Sequence, residues 1–191
     1  KLSFISAPDY ETNTSYSVTI YATDSSANTS SFPITISVTD VDDTPPVITG
    51  PSGNAGDSSD TKSIAENSTA VHSFSANETV SWSLSGTDSS AFNITTSGDL
   101  SFVNPPDFEN PSDDDTNNTY SLIVSASDSL TNQSSQTLTI SVTDVDEIAP
   151  VITGPSGNAG DSSDTKSIPE NSTSVHSFSA NETVSWSLSG T

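Results

Sequence analysis

The chain has 191 residues, with 25 acidic side chains against three lysines and no arginine, and a formal charge of −22. Nothing in it can neutralise phosphates, so nucleic acid is excluded as a partner, and an anionic membrane surface is disfavoured. With no cysteine there is no disulfide framework and no thiol-bound metal, and no run approaches the ~18 apolar residues of a membrane span.

Taken in chain order, the sequence predicts strands separated by acidic turns. Pro8-Asp9-Tyr10-Glu11 precedes an apolar stripe at Tyr16, Val18 and Ile20, which ends in Ala22-Thr23-Asp24. Ile34-Thr35-Ile36-Ser37-Val38 alternates at period two, the pattern of a half-buried strand with Ser and Thr on the wet face. It leads into Asp40-Val41-Asp42-Asp43-Thr44-Pro45-Pro46. Gly50-Pro51-Ser52-Gly53-Asn54 reads as a turn, and Ile64-Ala65-Glu66-Asn67 carries the next acid. Val80-Ser81-Trp82-Ser83-Leu84 alternates again, and Phe92 with Ile94 and Leu100 with Phe102 give shorter strands about Ser97-Gly98-Asp99. After Asn104-Pro105-Pro106 the series restarts. Asp107-Phe108-Glu109 matches Asp9-Tyr10-Glu11, Leu122 and Val124 form a stripe, and Ala126-Ser127-Asp128 matches Ala22-Thr23-Asp24. Thr137 to Val142 forms a strand that runs into Asp144-Val145-Asp146-Glu147-Ile148-Ala149-Pro150. This regularity argues against the disorder that a charged, weakly apolar composition would otherwise suggest.

The restart is a repeat. Residues 46–87 recur as 150–191 with two changes, Ala65 to Pro169 and Ala70 to Ser174, at a shift of 104 residues. That period is too long for a solenoid unit and fits a small domain. About seven short strands per ~100 residues describe an all-β sandwich with Greek-key connections. Boundaries are expected at the prolines: 1–44 as the C-terminal half of one repeat, 45–148 as a complete repeat, and 149–191 as the N-terminal half of a third.

The carboxylates recur where repeats meet. On a strand Asp40 and Asp42 point to one side. At about 5 Å and an effective dielectric near 20 they repel by roughly 3 kcal/mol. Such a cluster calls for a counter-ion, and hard oxygen donors in a flexible acidic site favour Ca2+.

With these motifs in order, the chain resembles the cadherin repeat family along its whole length. D-V-D-D-T-P-P and D-V-D-E-I-A-P are similar to the family's D-x-N-D-N-x-P linker, D-Y-E and D-F-E to its D-R-E, A-T-D and A-S-D to its A-x-D, and A-E-N and P-E-N to its early Glu-Asn. S-A-N-E-T-V-S-W-S-L-S-G followed by D-F-E-N-P is more similar to the cadherin-like repeats of large bacterial surface adhesins than to animal cadherins. The resemblance implies tandem Greek-key (cadherin- or Ig-like) β-sandwich domains joined end to end by calcium-binding linkers. It implies a first ligand set of Asp9, Glu11, Asp40, Asp42 and Asp43, with Asp128 and Glu78 from the following domain. A second set comprises Glu66, Asp107, Glu109, Asp144 and Asp146, joined by Glu182. The mid-domain D-x-D is reduced to Asn77-Glu78, and Glu147-Ile148 replaces Asp-Asn in the second linker, so one or two ions per linker are expected in place of three.

Other features have plainer readings. Asp113-Asp114-Asp115 lies in an insertion, Asn110 to Thr116, absent from the first repeat, and reads as a solvated loop. His72 and His176 occupy one repeat position and serve a surface or partly buried structural role. Trp82 and Trp186 sit on an alternating strand and read as core. Sequons begin at Asn13, Asn28, Asn67, Asn77, Asn93, Asn117, Asn132, Asn171 and Asn181, nine of fourteen asparagines, which mildly favours a glycoprotein.

No catalytic constellation emerges, so an enzyme is not expected. The sequence predicts an extender segment of an extracellular, cell-surface adhesin or fibre, stiffened by Ca2+, with adjacent repeats as its partners and any tip ligand outside the chain. One alternative is a self-assembling filament or surface-layer subunit whose half-domains are completed by other copies. A second is a carbohydrate- or ice-contacting module.

Overall fold

A computed structural model of the chain describes residues 1–190. It divides into two compact units, Lys1–Asp144 and Val145–Thr191.

The first unit opens with a hairpin of β1 (Ser15–Thr23) and β2 (Thr29–Ser37), paired from Ser15↔Ser37 to Thr23↔Thr29. Nine strands follow: β3 (Ile48–Thr49), β4 (Ser59–Ala65), β5 (Ala70–Ser73), β6 (Ser75–Ala76), β7 (Ser81–Ser85), β8 (Phe92–Ile94), β9 (Asp99–Phe102), β10 (Thr119–Ser127) and β11 (Gln133–Thr143). They form a four-stranded sheet in the order β4-β11-β10-β7, a three-stranded sheet in the order β5-β9-β8, and the short pair β3-β6. β4 runs parallel to β11, whereas β10 is antiparallel to both β11 and β7. The chain leaves the first sheet after β7 and enters the second at β8, the sheet-switching path of a Greek-key sandwich. Apart from a three-residue turn of 3-10 helix at Ser89–Ala91, all regular structure among the described residues is strand.

The predicted alternation is what closes the core. Tyr120, Leu122, Val124 and Ala126 of β10 are buried, as are Leu138, Ile140 and Val142 of β11. They face Val71, Phe92, Leu100 and Phe102 of the other sheet, with Phe74 between β5 and β6. Phe92, Phe102 and Tyr120 meet mainly edge to face, with centroids 4.3–5.6 Å apart. Trp82 and Leu84 of β7 are half-buried against this cluster.

β1 and β2 reproduce β10 and β11 in sequence and register: Tyr16 opposes Ile36 as Tyr120 opposes Ile140. Their burial differs, because no second sheet lies over the hairpin among the described residues. Tyr16, Val18, Ile34 and Ile36 are only half-buried, and Ile20 is exposed. The second unit pairs β12 (Ile152–Thr153) with β13 (Ser179–Ala180). The expectation that both tryptophans are core holds for Trp82, half-buried, and not for Trp186, which is 53% exposed. In the sandwich β7 is backed by β10, and no strand equivalent to β10 occurs among the described residues of the second unit.

The insertion loop keeps its solvated reading at Asp114 and Asp115, which are exposed, and departs from it at Asp113. Asp113 is buried and accepts from the backbone N–H groups of Asn117 at 2.7 Å and Asn118 at 3.2 Å. Asp88, also buried, accepts from Asp114 N at 2.9 Å and Ser121 N at 2.7 Å. Backbone donors satisfy both carboxylates, which is what makes their burial tolerable. His72 is half-buried on β5 and lies edge-on to Phe74 at 5.0 Å.

Candidate metal centres

Carboxylates follow the ends of β2 and β11. β2 stops at Ser37 and β11 at Thr143, so Asp40, Asp42 and Asp144 lie beyond the ladder on irregular backbone. Strand geometry therefore does not pair Asp40 with Asp42. Tertiary structure instead gathers Asp42 with Glu78, in the β6–β7 turn, and Asp128, at the end of β10. One carboxylate oxygen of each lies within 4.8 Å of the others. A second group joins Glu66, just past β4, to Asp107 and Glu109 of the Pro106-Asp107-Phe108-Glu109 loop, again within 4.8 Å.

In the first group Asp128 is fixed by its own turn. Its Oδ1 accepts from Leu130 N at 2.9 Å and Asn132 N at 2.8 Å, and its Oδ2 from Asn132 Nδ2 at 2.7 Å. Thr131 in this turn has φ +73°, a left-handed conformation that costs a β-branched residue on the order of 1–3 kcal/mol. The Asp24 turn repeats the arrangement, with Ala27 at φ +66°. Desolvation, then the charges of Asp42 and Asp128, hold the Glu78 carboxyl above its ordinary range. Neighbouring Asn77 accepts from Val47 N at 2.6 Å, which ties the chain after the linker to the β6–β7 turn.

In the second group the buried Glu66 accepts from Phe108 N at 2.7 Å through Oε2, and its own N–H donates to Thr143 O at 3.0 Å. Asn67 N donates to Pro106 O at 2.9 Å and Asn110 N to Asp107 Oδ1 at 3.0 Å, which closes the loop against β4. Glu109 is pulled down by its own backbone N–H. Desolvation and the charges of Glu66, Asp144 and Asp107 outweigh this, and its carboxyl sits above its ordinary range.

The remaining predicted ligands fall around these two groups. Glu11 is pulled down by its own N–H and raised on balance by desolvation, Asp9, Asp43 and Asp40. Asp9 is held below its usual range by Thr12, which donates to it from Oγ1 at 2.8 Å and from N at 3.2 Å. Asp146 and Glu182 belong to the second unit, where Asp146 accepts from Ile148 N at 3.1 Å.

Sequence reasoning read Asn132 only as a sequon. Its Nδ2 also donates to the linker carbonyl of Asp42 at 2.9 Å. The Asp-x-x-x-Asn spacing shared by Asp24–Asn28 and Asp128–Asn132 was the available signal. Nδ2 is likewise engaged at Asn28 and Asn117, whereas Asn93 is exposed on β8.

The donor sets contain only carboxylate oxygens, and desolvation with the charges of neighbouring carboxylates holds Glu78 and Glu109 above the ordinary range. They fit a hard divalent cation with loose geometric demands, which is Ca2+ before Mg2+ or Zn2+.

No protein-family model and no curated protein matches the chain. Among solved structures it is similar to the protocadherin GammaB4 extracellular domain, at 25% identity over 77% of this chain and 23% of that one, with a TM-score of 0.51. It is also similar to Drosophila N-cadherin EC1-4 (33% identity, 51% of this chain and 26% of that one, TM-score 0.40) and to mouse cadherin-23 EC22-24 (22%, 74% and 46%, TM-score 0.46). The chain thus has a cadherin-like, all-β sandwich fold and spans about a quarter of the protocadherin chain it matches.

Proposed function

We propose that the chain is an extender segment of an extracellular adhesin or surface fibre, of the kind built from tandem cadherin-like repeats in bacterial-type adhesins. In this reading 1–44 is the C-terminal half of one repeat, 45–148 a complete repeat, and 149–191 the N-terminal half of the next. The observation that carries it is the meeting of Asp42, from the linker, with Glu78 and Asp128, from the repeat after it. Each partner alone tolerates its charge in water, and together they resist approach. Ca2+ would neutralise that charge and convert a loose junction into a stiff one. Glu66, Asp107 and Glu109, with Asp144 beside them, would hold Ca2+ in the same way. Asp9, Glu11, Asp40 and Asp43 would complete the first group. Mass action then makes the folded array more stable wherever Ca2+ is plentiful, as it is outside cells. No group is assigned a catalytic role, and exposed sequons such as Asn93 are candidates for glycan attachment.

Small-angle scattering of the 191-residue chain in millimolar Ca2+ and in excess chelator, with a thermal melt of each, tests this. The reading expects a longer, stiffer particle and a higher melting temperature with Ca2+. Identical profiles and melts would leave the clusters as ordinary solvated acids and overturn it.

A second reading, a self-assembling filament, is favoured by one observation. Leu2, Phe4, Tyr16, Val18 and Ile36 line an apolar groove on the hairpin, on strands whose β10–β11 equivalents carry the sandwich core. In a continuous array a preceding half-repeat would cover it, and in a filament another copy would. Light scattering over a wide concentration range separates the two, a constant mass opposing the filament.

A further inference from the structure

We propose that Asn132 is a positioning residue of the first junction: its side-chain amide clamps the linker to the turn that carries Asp128, and so sets the cation affinity of the Asp42–Glu78–Asp128 group. This rests on that group's being a cation site, although the clamp itself is visible without one. An asparagine amide has two hydrogens to give. Here one goes to the backbone carbonyl of Asp42 at 2.9 Å, and the other to Asp128 Oδ2 at 2.7 Å. The backbone N–H of Asn132 binds Asp128 Oδ1 at 2.8 Å. One residue thereby fixes both the main chain that bears Asp42 and the carboxylate of Asp128.

The acceptor count says what Asp128 has left. Each carboxylate oxygen offers about two lone-pair sites. Among the described residues Oδ1 receives Leu130 N and Asn132 N, and Oδ2 receives only Asn132 Nδ2. A free site remains on Oδ2, so Asp128 is prepared as a one-oxygen ligand, aimed by the same amide that holds Asp42.

The repeat supplies an internal comparison. Asn28 makes the same turn bonds to Asp24, from N at 2.9 Å and from Nδ2 at 2.9 Å, and among the described residues bonds nothing beyond its turn. Forming the turn therefore needs no linker carbonyl, and the bond to Asp42 is an addition specific to the junction. It also uses the last amide hydrogen of a sequon asparagine, so a glycan on Nδ2, which leaves one hydrogen, could not keep both bonds.

The test uses the full chain with Asn132→Ala, Asn132→Ser and Asn28→Ala. Asn132→Ser keeps a polar side chain and the backbone bond to Asp128 without adding charge, and so covers the case in which the alanine variant folds poorly. Two readouts are needed: Ca2+ titration by calorimetry, and hydrogen exchange of residues 38–47 in chelator. Loss of the clamp is expected to speed exchange in that segment and to weaken the first site about three- to tenfold, the worth of one net hydrogen bond. Asn28→Ala should leave both readouts at wild-type values. Should wild type bind no Ca2+, the cation reading falls and with it the affinity claim, while exchange still decides the clamp. Unchanged exchange in both Asn132 variants would overturn the clamp. Faster exchange with unaltered affinity would overturn its role in setting the site.

Discussion

The buried carboxylate of Glu66 accepts a 2.7 Å hydrogen bond from the backbone N–H of Phe108, so the end of β4 and the Asp107–Glu109 loop are held together before any cation is considered. One oxygen of Glu66 is spent on structure, and the residue still lies in the acidic group. Glu66→Gln keeps an acceptor for Phe108 N and removes the charge, so it should fold nearly as well and bind Ca2+ less tightly. Glu66→Ala should cost a further ~1–3 kcal/mol in stability, because it strands a half-buried donor. Denaturant melts in chelator, paired with Ca2+ titrations, separate the two effects.

Glu78→Gln should change sign with calcium. In chelator the substitution removes a charge that Asp42 and Asp128 oppose, so the variant should melt at or above the wild-type temperature. In millimolar Ca2+ it should melt below wild type, having lost a ligand. A variant destabilised equally in both conditions would show Glu78 to be a packing residue only.

Core strength should differ between repeat-equivalent positions. Leu122 is fully buried, and Leu122→Ala should cost about 2–5 kcal/mol. Val18 stands at the same place in the first hairpin and is half-buried, so Val18→Ala should cost well under half as much. Urea melts of the two variants are the measurement.

His72 gives a pH dependence near neutrality. Desolvation, then the charge of Lys62, hold its imidazole below the ordinary value of 6.5, against Asp60 and a Gly50 backbone bond that pull it up. The unfolded chain therefore takes the proton first. The stability tied to neutral His72 is complete above pH 6.5 and is lost as pH falls below it towards the lowered folded value. In chelator, the melting temperature should decline over that interval, and His72→Gln should flatten the decline.

Much of this architecture is legible in the residues. The period-two stripes through Leu122 and Val124 and through Leu138, Ile140 and Val142 lie on the buried faces of β10 and β11, because a strand that buries one side must alternate. The acidic motifs were legible as a set but not as groups. Asp40 and Asp42 looked like partners on a strand, yet β2 ends before either, and Asp42 meets Glu78 and Asp128 instead. Asp113 looked solvated like Asp114 and Asp115, which are, because nothing local announces that the Asn117 and Asn118 N–H groups will enclose it.

By itself the sequence determined the strand content, the 104-residue period, the absence of thiol chemistry and the recurrence of carboxylates at repeat ends. These follow from composition and from short-range periodicity, which each segment carries alone. Only the tertiary structure decided which carboxylates share a site, that Trp82 is covered while Trp186 is not, and that Asn132 reaches a carbonyl ninety residues away. Those facts depend on how strands from distant parts of the chain stack and where their ends converge, and no local pattern encodes a distance between residues that only the folded sheets bring together.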